Sequence, residues 1–181
     1  MKHKTLLIIS ALATAIMIVV MLWHGSRLTI EGVIPFGIID LELARTPDRA
    51  ATILQEWGYP GRSIAMMNIL LDFIFIASYG TLLFLMVTKA SGTDEGRWSR
   101  VGKWIAVAII VASFFDVVEN ILMIKILKGS LGKELVGSTF MFAAAKFLFL
   151  AIGIVYILLS LLGQLFDTRR QPSEDPHQSL V

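Results

Sequence analysis

The chain has 181 residues, of which 56% are hydrophobic and only 17% are charged, and its mean hydropathy is +0.74. A soluble domain has about 25% charged residues, so this composition predicts an integral membrane protein. The net charge is only +2 and cysteine is absent, which argues against a nucleic-acid-binding surface and excludes disulfides and thiolate chemistry.

Four stretches approach the roughly 20 apolar residues that are needed to cross a bilayer core. In chain order they are residues 5–23, 64–87, 104–124 and 140–162. The sequence therefore predicts an all-α protein with an antiparallel bundle of four transmembrane helices. Little chain remains for anything else, so we expect a single domain over residues 1–166.

The first stretch also has features of a secretory signal peptide. Lys2 and Lys4 give it a positively charged start, and small residues follow at positions 11–15. However, only about 6 to 8 apolar residues precede them, at the lower limit of the roughly 7 to 15 that a signal peptide uses. We therefore expect a retained membrane anchor.

The loop between the first two stretches, residues 24–63, is too long to lack structure. Residues 46–48, Thr-Pro-Asp, are typical of a helix start, and the helix should end near Trp57 because Gly58 follows. Its apolar residues recur with helical spacing, which predicts an amphipathic helix in this extracytoplasmic loop: Ala50, Ile53, Leu54 and Trp57. Residues 32–44 before it form either a folded-back lid or an ordinary surface loop.

Charged residues interrupt three of the four apolar stretches at a similar depth. They are Asp72, then Asp116 with Glu119, then Lys146. At about 1.5 Å per residue, all lie roughly 8 to 12 Å below the outer edge of the bilayer. A charge at the bilayer centre costs at least about 2.5 to 3.5 kcal/mol, so these side chains should face one another or a water-filled cavity.

Polar side chains on the same helix faces should support these charges with hydrogen bonds. They are Asn68, Tyr79 and Asn120. Three carboxylates and one ammonium do not balance, so we expect bound protons, a loop arginine such as Arg45 or Arg62, or a cationic ligand or metal. The Asp-x-x-Glu-Asn pattern is not a specific metal motif, and of the three histidines only His24 lies outside the chain ends. We therefore assign no metal and no cofactor.

The favoured function is a small membrane protein that binds or transports a small molecule or lipid in a protonatable pocket. The ligand-binding or proton-binding residues would be Asp72, Asp116, Glu119, Lys146, Asn68, Asn120 and Tyr79. One alternative is an accessory or assembly subunit in which the charges only hold the bundle together. A second is a lipid-active enzyme, which is less favoured because no nucleophile or phosphate-binding motif accompanies the carboxylates.

The density of basic residues predicts the orientation. The short loop from Lys89 to Lys103 contains four of them, so both termini should be cytoplasmic in a plasma (inner) membrane. The polar tail, residues 167–181, should be disordered. The expected partners are the bilayer and an amphipathic ligand or lipid, without nucleic acid, while a homodimer and a larger complex both stay open.

Overall fold

The computed structural model describes residues 2–92 and 96–168, with side chains for 3–92 and 96–165. The chain is helical throughout these ranges, apart from connecting loops and one isolated bridge between Ile30 and Ile34. The five α-helices are α1 (Lys2–Gly25), α2 (Ile38–Glu42), α3 (Pro47–Ser91), α4 (Arg97–Leu127) and α5 (Lys133–Thr168). A short 3-10 helix, Ser26–Leu28, follows α1.

Four of these helices, α1, α3, α4 and α5, are long and apolar enough to cross a membrane within the described ranges. Each contains one of the predicted stretches. Large apolar side chains point outward from them, including Trp104 on α4, which is 77% exposed. Lipid is the solvent that suits such a surface, and the prediction of a helical protein with four helices able to span a membrane is confirmed for the described residues.

Helix α3 consists of two helical segments that meet at Gly58. The Thr46 hydroxyl caps its start, accepting a hydrogen bond from the Arg49 amide at 3.3 Å, and Pro47 follows as the first helical residue. Gly58 leaves the helical region with φ of 55°, a conformation that glycine adopts without steric cost. The second segment carries Asn68, Asp72 and Tyr79.

The loop after α1 covers one end of the spanning helices. Buried side chains of the loop and of the first segment of α3 pack with Met123, Ile126 and Val136 of α4 and α5. The Trp57 indole donates to the Leu28 carbonyl at 2.9 Å, which ties that segment to the end of α1. This packing places α2 over the spanning helices.

Asp40 holds the loop around α2 in place. Its carboxylate accepts from the Phe36 amide at 2.7 Å and pairs with Arg49 at 3.2 Å. Arg49 also donates to the Val33 carbonyl at 2.7 Å. These bonds position Glu42, two residues further along the chain, above the bundle.

The opposite end of the spanning helices is closely packed. Val87, Ala106, Ile109, Tyr156 and Ile157 form its buried core. At that end α5 remains helical through Asp167 and Thr168, which the sequence prediction assigned to the tail. The remainder of that predicted tail, residues 169–181, lies outside the described residues.

Candidate functional site: a buried charged cluster beside a cavity

The charged cluster centres on Lys146 of α5. Its ammonium nitrogen lies 2.7 Å from Asp116 Oδ1 and 2.9 Å from Glu119 Oε2, both on α4. It also lies 3.4 Å from Glu42 Oε2 on α2. All four residues are buried. One lysine therefore connects three helices through carboxylates.

Hydrogen bonds join the second spanning helix to this cluster. The Tyr79 hydroxyl donates to the other oxygen of Asp116, and the Asn120 amide donates to Asp72 Oδ2 at 2.7 Å. Six of the seven residues singled out in the sequence are thus joined by ion pairs or hydrogen bonds. The seventh, Asn68, is buried, and its Nδ2 has no hydrogen-bond partner among the described residues.

Glu42 is the member of the cluster that the sequence did not reveal. It lies within residues 32–44, the segment interpreted as either a lid or a surface loop, and no helical spacing links it to Lys146. Burial raises the pKa of Glu42, and the Lys146 ammonium opposes that rise. The loop therefore contributes an additional acid to the cluster.

Arg45 and Arg62, the two arginines expected to balance the acids, make their described contacts outside the cluster. The Arg45 guanidinium lies over the Phe140 ring, 4.8 Å from its centroid. The Arg62 side chain donates through Nε to the Leu54 carbonyl at 3.0 Å. The expected balancing of the acids by Arg45 or Arg62 is therefore absent from the described contacts.

The cluster contains more acid than base. Within the described ranges, Glu42, Asp72, Asp116 and Glu119 accompany a single lysine. Full ionisation would leave a net charge of −3, which a buried site does not tolerate without protons or a further cation. Lys146 is also the only cation near Glu119 in the described part of the chain: its ammonium lies 2.9 Å from Glu119 Oε2, while Oε1 has no ion-pair partner there.

A cavity of about 660 Å³ adjoins the cluster, between α1, the loop, α3 and α5. Its polar wall consists of Glu42, Asn68, Asp72, Tyr79, Asp116 and Lys146. Its apolar wall includes Ile18, Leu22, Leu82, Leu83, Leu150 and Ile154. This volume is within the range of about 300 to 1,000 Å³ that is typical of small-molecule sites. The cavity can therefore hold a molecule with one polar and one apolar end.

Metal binding has no geometric support in the described residues, since no group of three or more acidic, histidine or cysteine side chains is arranged to hold an ion. The carboxyl, ammonium, amide and phenol groups of the site can exchange protons, form ion pairs and form hydrogen bonds. Comparisons with protein-family models, curated proteins and solved structures found no match.

Proposed function

We propose that the protein binds a small amphipathic molecule with a cationic head and an apolar body, and transports it or presents it within the membrane. The observation that carries this proposal is the cavity itself, which has an acid-rich wall at one end and an apolar wall at the other. A cationic head would reduce the excess negative charge of the cluster. The apolar body would lie against leucine and isoleucine side chains.

Asp72 is the carboxylate best placed to bind the cationic head. It lines the cavity, it is only partly buried, and none of the ion pairs in the described residues includes it. Its one side-chain hydrogen bond comes from Asn120. Asp116, by contrast, already receives Lys146 and Tyr79. A ligand ammonium would therefore supply Asp72 with the counter-charge that the protein does not provide.

The apolar end of the cavity favours a single hydrocarbon chain. Asn68 and Leu83 both line the cavity and lie fifteen residues apart on α3, or about 22 Å at the helical rise. Leu22 of α1 and Ile154 of α5 line the cavity and are 69% and 47% exposed, so the cavity is not sealed by these side chains. Both helices pack against α3. We infer that a ligand dissolved in the bilayer reaches the cavity between α1 and α5.

We further propose an antiparallel arrangement of the spanning helices, with both termini cytoplasmic in a plasma (inner) membrane. The basic residues between Lys89 and Lys103 support the cytoplasmic placement of the α3–α4 connection. The loop from 24 to 63, with its amphipathic helix, would then lie on the opposite side and cover the cavity. Labelling of single introduced cysteines in this cysteine-free chain, from either side of sealed vesicles, tests the orientation.

Binding of dodecylamine to the protein in nanodiscs, measured by native mass spectrometry, tests the proposed function. Dodecanol and dodecanoic acid have the same chain with a neutral or anionic head, so we expect the amine to bind most tightly. Asp72→Asn should weaken amine binding by at least about tenfold, since it removes one charge-assisted contact. Asp48→Asn makes the same change at an exposed position outside the cavity. Unchanged amine affinity in Asp72→Asn would refute the proposal.

A further inference from the structure

The unpaired amide of Asn68 lies in the wall of the cavity. The side chain is 1% exposed, and its Nδ2 has no hydrogen-bond partner in residues 2–92 and 96–168. Buried amides are nearly always hydrogen-bonded, because burial removes the water that would otherwise pair with them. Asn68 lines the cavity, and although Nδ2 itself is closed off from a water-sized probe, a turn of the side chain would bring it to a molecule bound there.

Asn68 and Asp72 are neighbours on the same face of α3. They are four residues apart, so their Cβ atoms lie about 5 to 6 Å from each other. A ligand whose ammonium pairs with Asp72 would therefore bring the adjoining atoms of its head group close to the Asn68 amide. The partner of Asn68 should be a second polar group within one or two bonds of the amine-bearing carbon.

The charges around Asn68 determine which kind of second polar group the ligand can carry. A carboxylate or phosphate would accept a hydrogen bond from Asn68 but would add negative charge beside four carboxyl groups. A second amine would donate rather than accept. A hydroxyl is neutral, accepts from Nδ2 and can donate to a neighbouring carboxylate.

Gly25, at the end of α1, leaves space in front of this amide. A Cβ atom at position 25 would lie 3.4 Å from Asn68 Nδ2. The backbone of Gly25 is ordinary right-handed helix, with φ of −71° and ψ of −23°, so its conformation does not require glycine. What the missing side chain provides is room beside the unpaired donor.

We propose that the ligand is a single-chain lipid amine with a hydroxyl on the carbon next to the amine-bearing carbon. Asp72 binds its ammonium and Asn68 binds its hydroxyl. The inference rests on the proposed function and narrows it from cationic amphiphiles in general to amino alcohols.

Comparison of two probes tests this inference: dodecylamine, and the twelve-carbon amino alcohol that differs from it by one hydroxyl on the carbon next to the amine-bearing carbon. Wild-type protein in nanodiscs should bind the amino alcohol about tenfold more tightly, as expected for one well-placed hydrogen bond to a buried donor. Asn68→Ala should remove that preference, which is measured as the ratio of the two affinities in the same protein and is therefore unaffected by a loss of affinity common to both probes. Gly25→Ala, which places a methyl group against the amide, should reduce the preference in the same direction.

The outcomes separate this inference from the proposed function. If dodecylamine binds through Asp72 but the hydroxyl adds nothing, or if its advantage persists in both Asn68→Ala and Gly25→Ala, the amino alcohol assignment is wrong and the proposed function stands. If neither amine binds to wild-type protein, both are wrong. If both variants still bind dodecylamine measurably but bind the two probes with equal affinity, the assignment is supported.

Discussion

The two ends of the spanning helices differ in how completely their polar side chains are hydrogen-bonded. At one end, Trp98, Tyr156 and Ser160 form a closed ring of hydrogen bonds: the indole donates to the Ser160 hydroxyl, which donates to the Tyr156 carbonyl, and the Tyr156 hydroxyl donates to the Trp98 carbonyl. The Trp98 and Tyr156 rings also stack, 4.8 Å between centroids. Among the described groups there, only the Ser99 hydroxyl lacks a partner.

At the other end, acids outnumber bases within the described ranges, and Asn68, whose Nδ2 has no hydrogen-bond partner there, lines a cavity. Polar groups that satisfy one another stabilise a fold and need nothing further. Buried polar groups without hydrogen-bond partners lower the stability of the fold unless a ligand, a proton or water supplies the missing partner. This contrast between the two ends supports the proposal that the charged end binds a ligand.

Lys146→Met should have the largest effect on stability. It leaves several buried carboxyls without their only described cation, and breaking a buried ion pair costs about 3 to 5 kcal/mol. The free energy of unfolding in detergent, measured with a denaturant series, tests this. Lys133→Met, at an exposed position in the same helix, is the matched control. Equal stability of the two variants would mean that the acids do not depend on Lys146.

Gly102→Ala should have the next largest effect, at the opposite end. A Cβ atom there would clash with the Ser91 side chain and the Tyr156 hydroxyl, and such overpacking costs about 1 to 3 kcal/mol. Gly163→Ala, where nothing lies near the added atom, should instead stabilise the helix by about 0.5 to 1 kcal/mol. Thermal unfolding should show a lower melting temperature for Gly102→Ala and a higher one for Gly163→Ala than for wild type. A lower melting temperature for both variants would contradict the packing argument.

Trp98→Phe should cost less, about 0.5 to 1.5 kcal/mol, because it removes the hydrogen bond to Ser160 but retains a ring that can stack on Tyr156. The exposed Trp104→Phe should change stability very little. Dodecylamine binding should be the same in both variants and in wild type, because neither residue lines the cavity. Loss of amine binding in Trp98→Phe would show that the two ends are coupled.

Glu42→Gln should have a small effect that depends on pH. Burial raises the pKa of Glu42 above its ordinary value of 4.5, so the folded protein holds this proton more tightly than the unfolded chain does. The resulting stability is fully present below pH 4.5 and is lost as pH rises through the raised pKa. The groups that face Glu42 are Lys146, Asp116, Glu119 and Asp72.

Wild type should therefore lose stability relative to Glu42→Gln as the pH increases, while the difference between them is constant at acid pH. Melting temperatures of the two proteins across a pH series provide the measurement. Glu134→Gln, at an exposed position, should not show the same trend relative to wild type. A difference between wild type and Glu42→Gln that is independent of pH would contradict the raised pKa.

The spanning helices could be predicted from sequence because few structures other than a membrane-spanning helix can accommodate a long apolar run. The start of α3 at Thr46 and its break at Gly58 could be predicted as well, since capping and glycine conformations are local properties. The contact between Glu42 and Lys146 could not. The contact depends on how the Asp40–Arg49 ion pair folds the loop back over the bundle. Helical periodicity relates neighbouring residues only, so it cannot predict a contact between residues about a hundred positions apart.

The common level of the charged residues in the bundle could likewise be predicted, because the helical rise per residue converts sequence position into distance along the helix axis. Their pairing could not be, since it depends on the rotation of each helix about its axis. Helical spacing put Asn68 and Asp72 on one stripe, with Asp72 as a charged site residue and Asn68 as a supporting hydrogen bonder, but it could not predict their partners. Only the packed structure separates a carboxylate that Asn120 already contacts from an amide that is left without a partner.

A ligand that enters the cavity from the bilayer between α1 and α5 needs less affinity for the site than one that enters from water. Each buried CH₂ group contributes about 0.8 kcal/mol to partitioning into a membrane, so a long-chain amine is far more concentrated in the bilayer than in water. A site filled from the bilayer experiences that higher concentration. Modest contacts from Asp72 and Asn68 would then suffice for occupancy, and the head group rather than the chain would decide which lipids are retained.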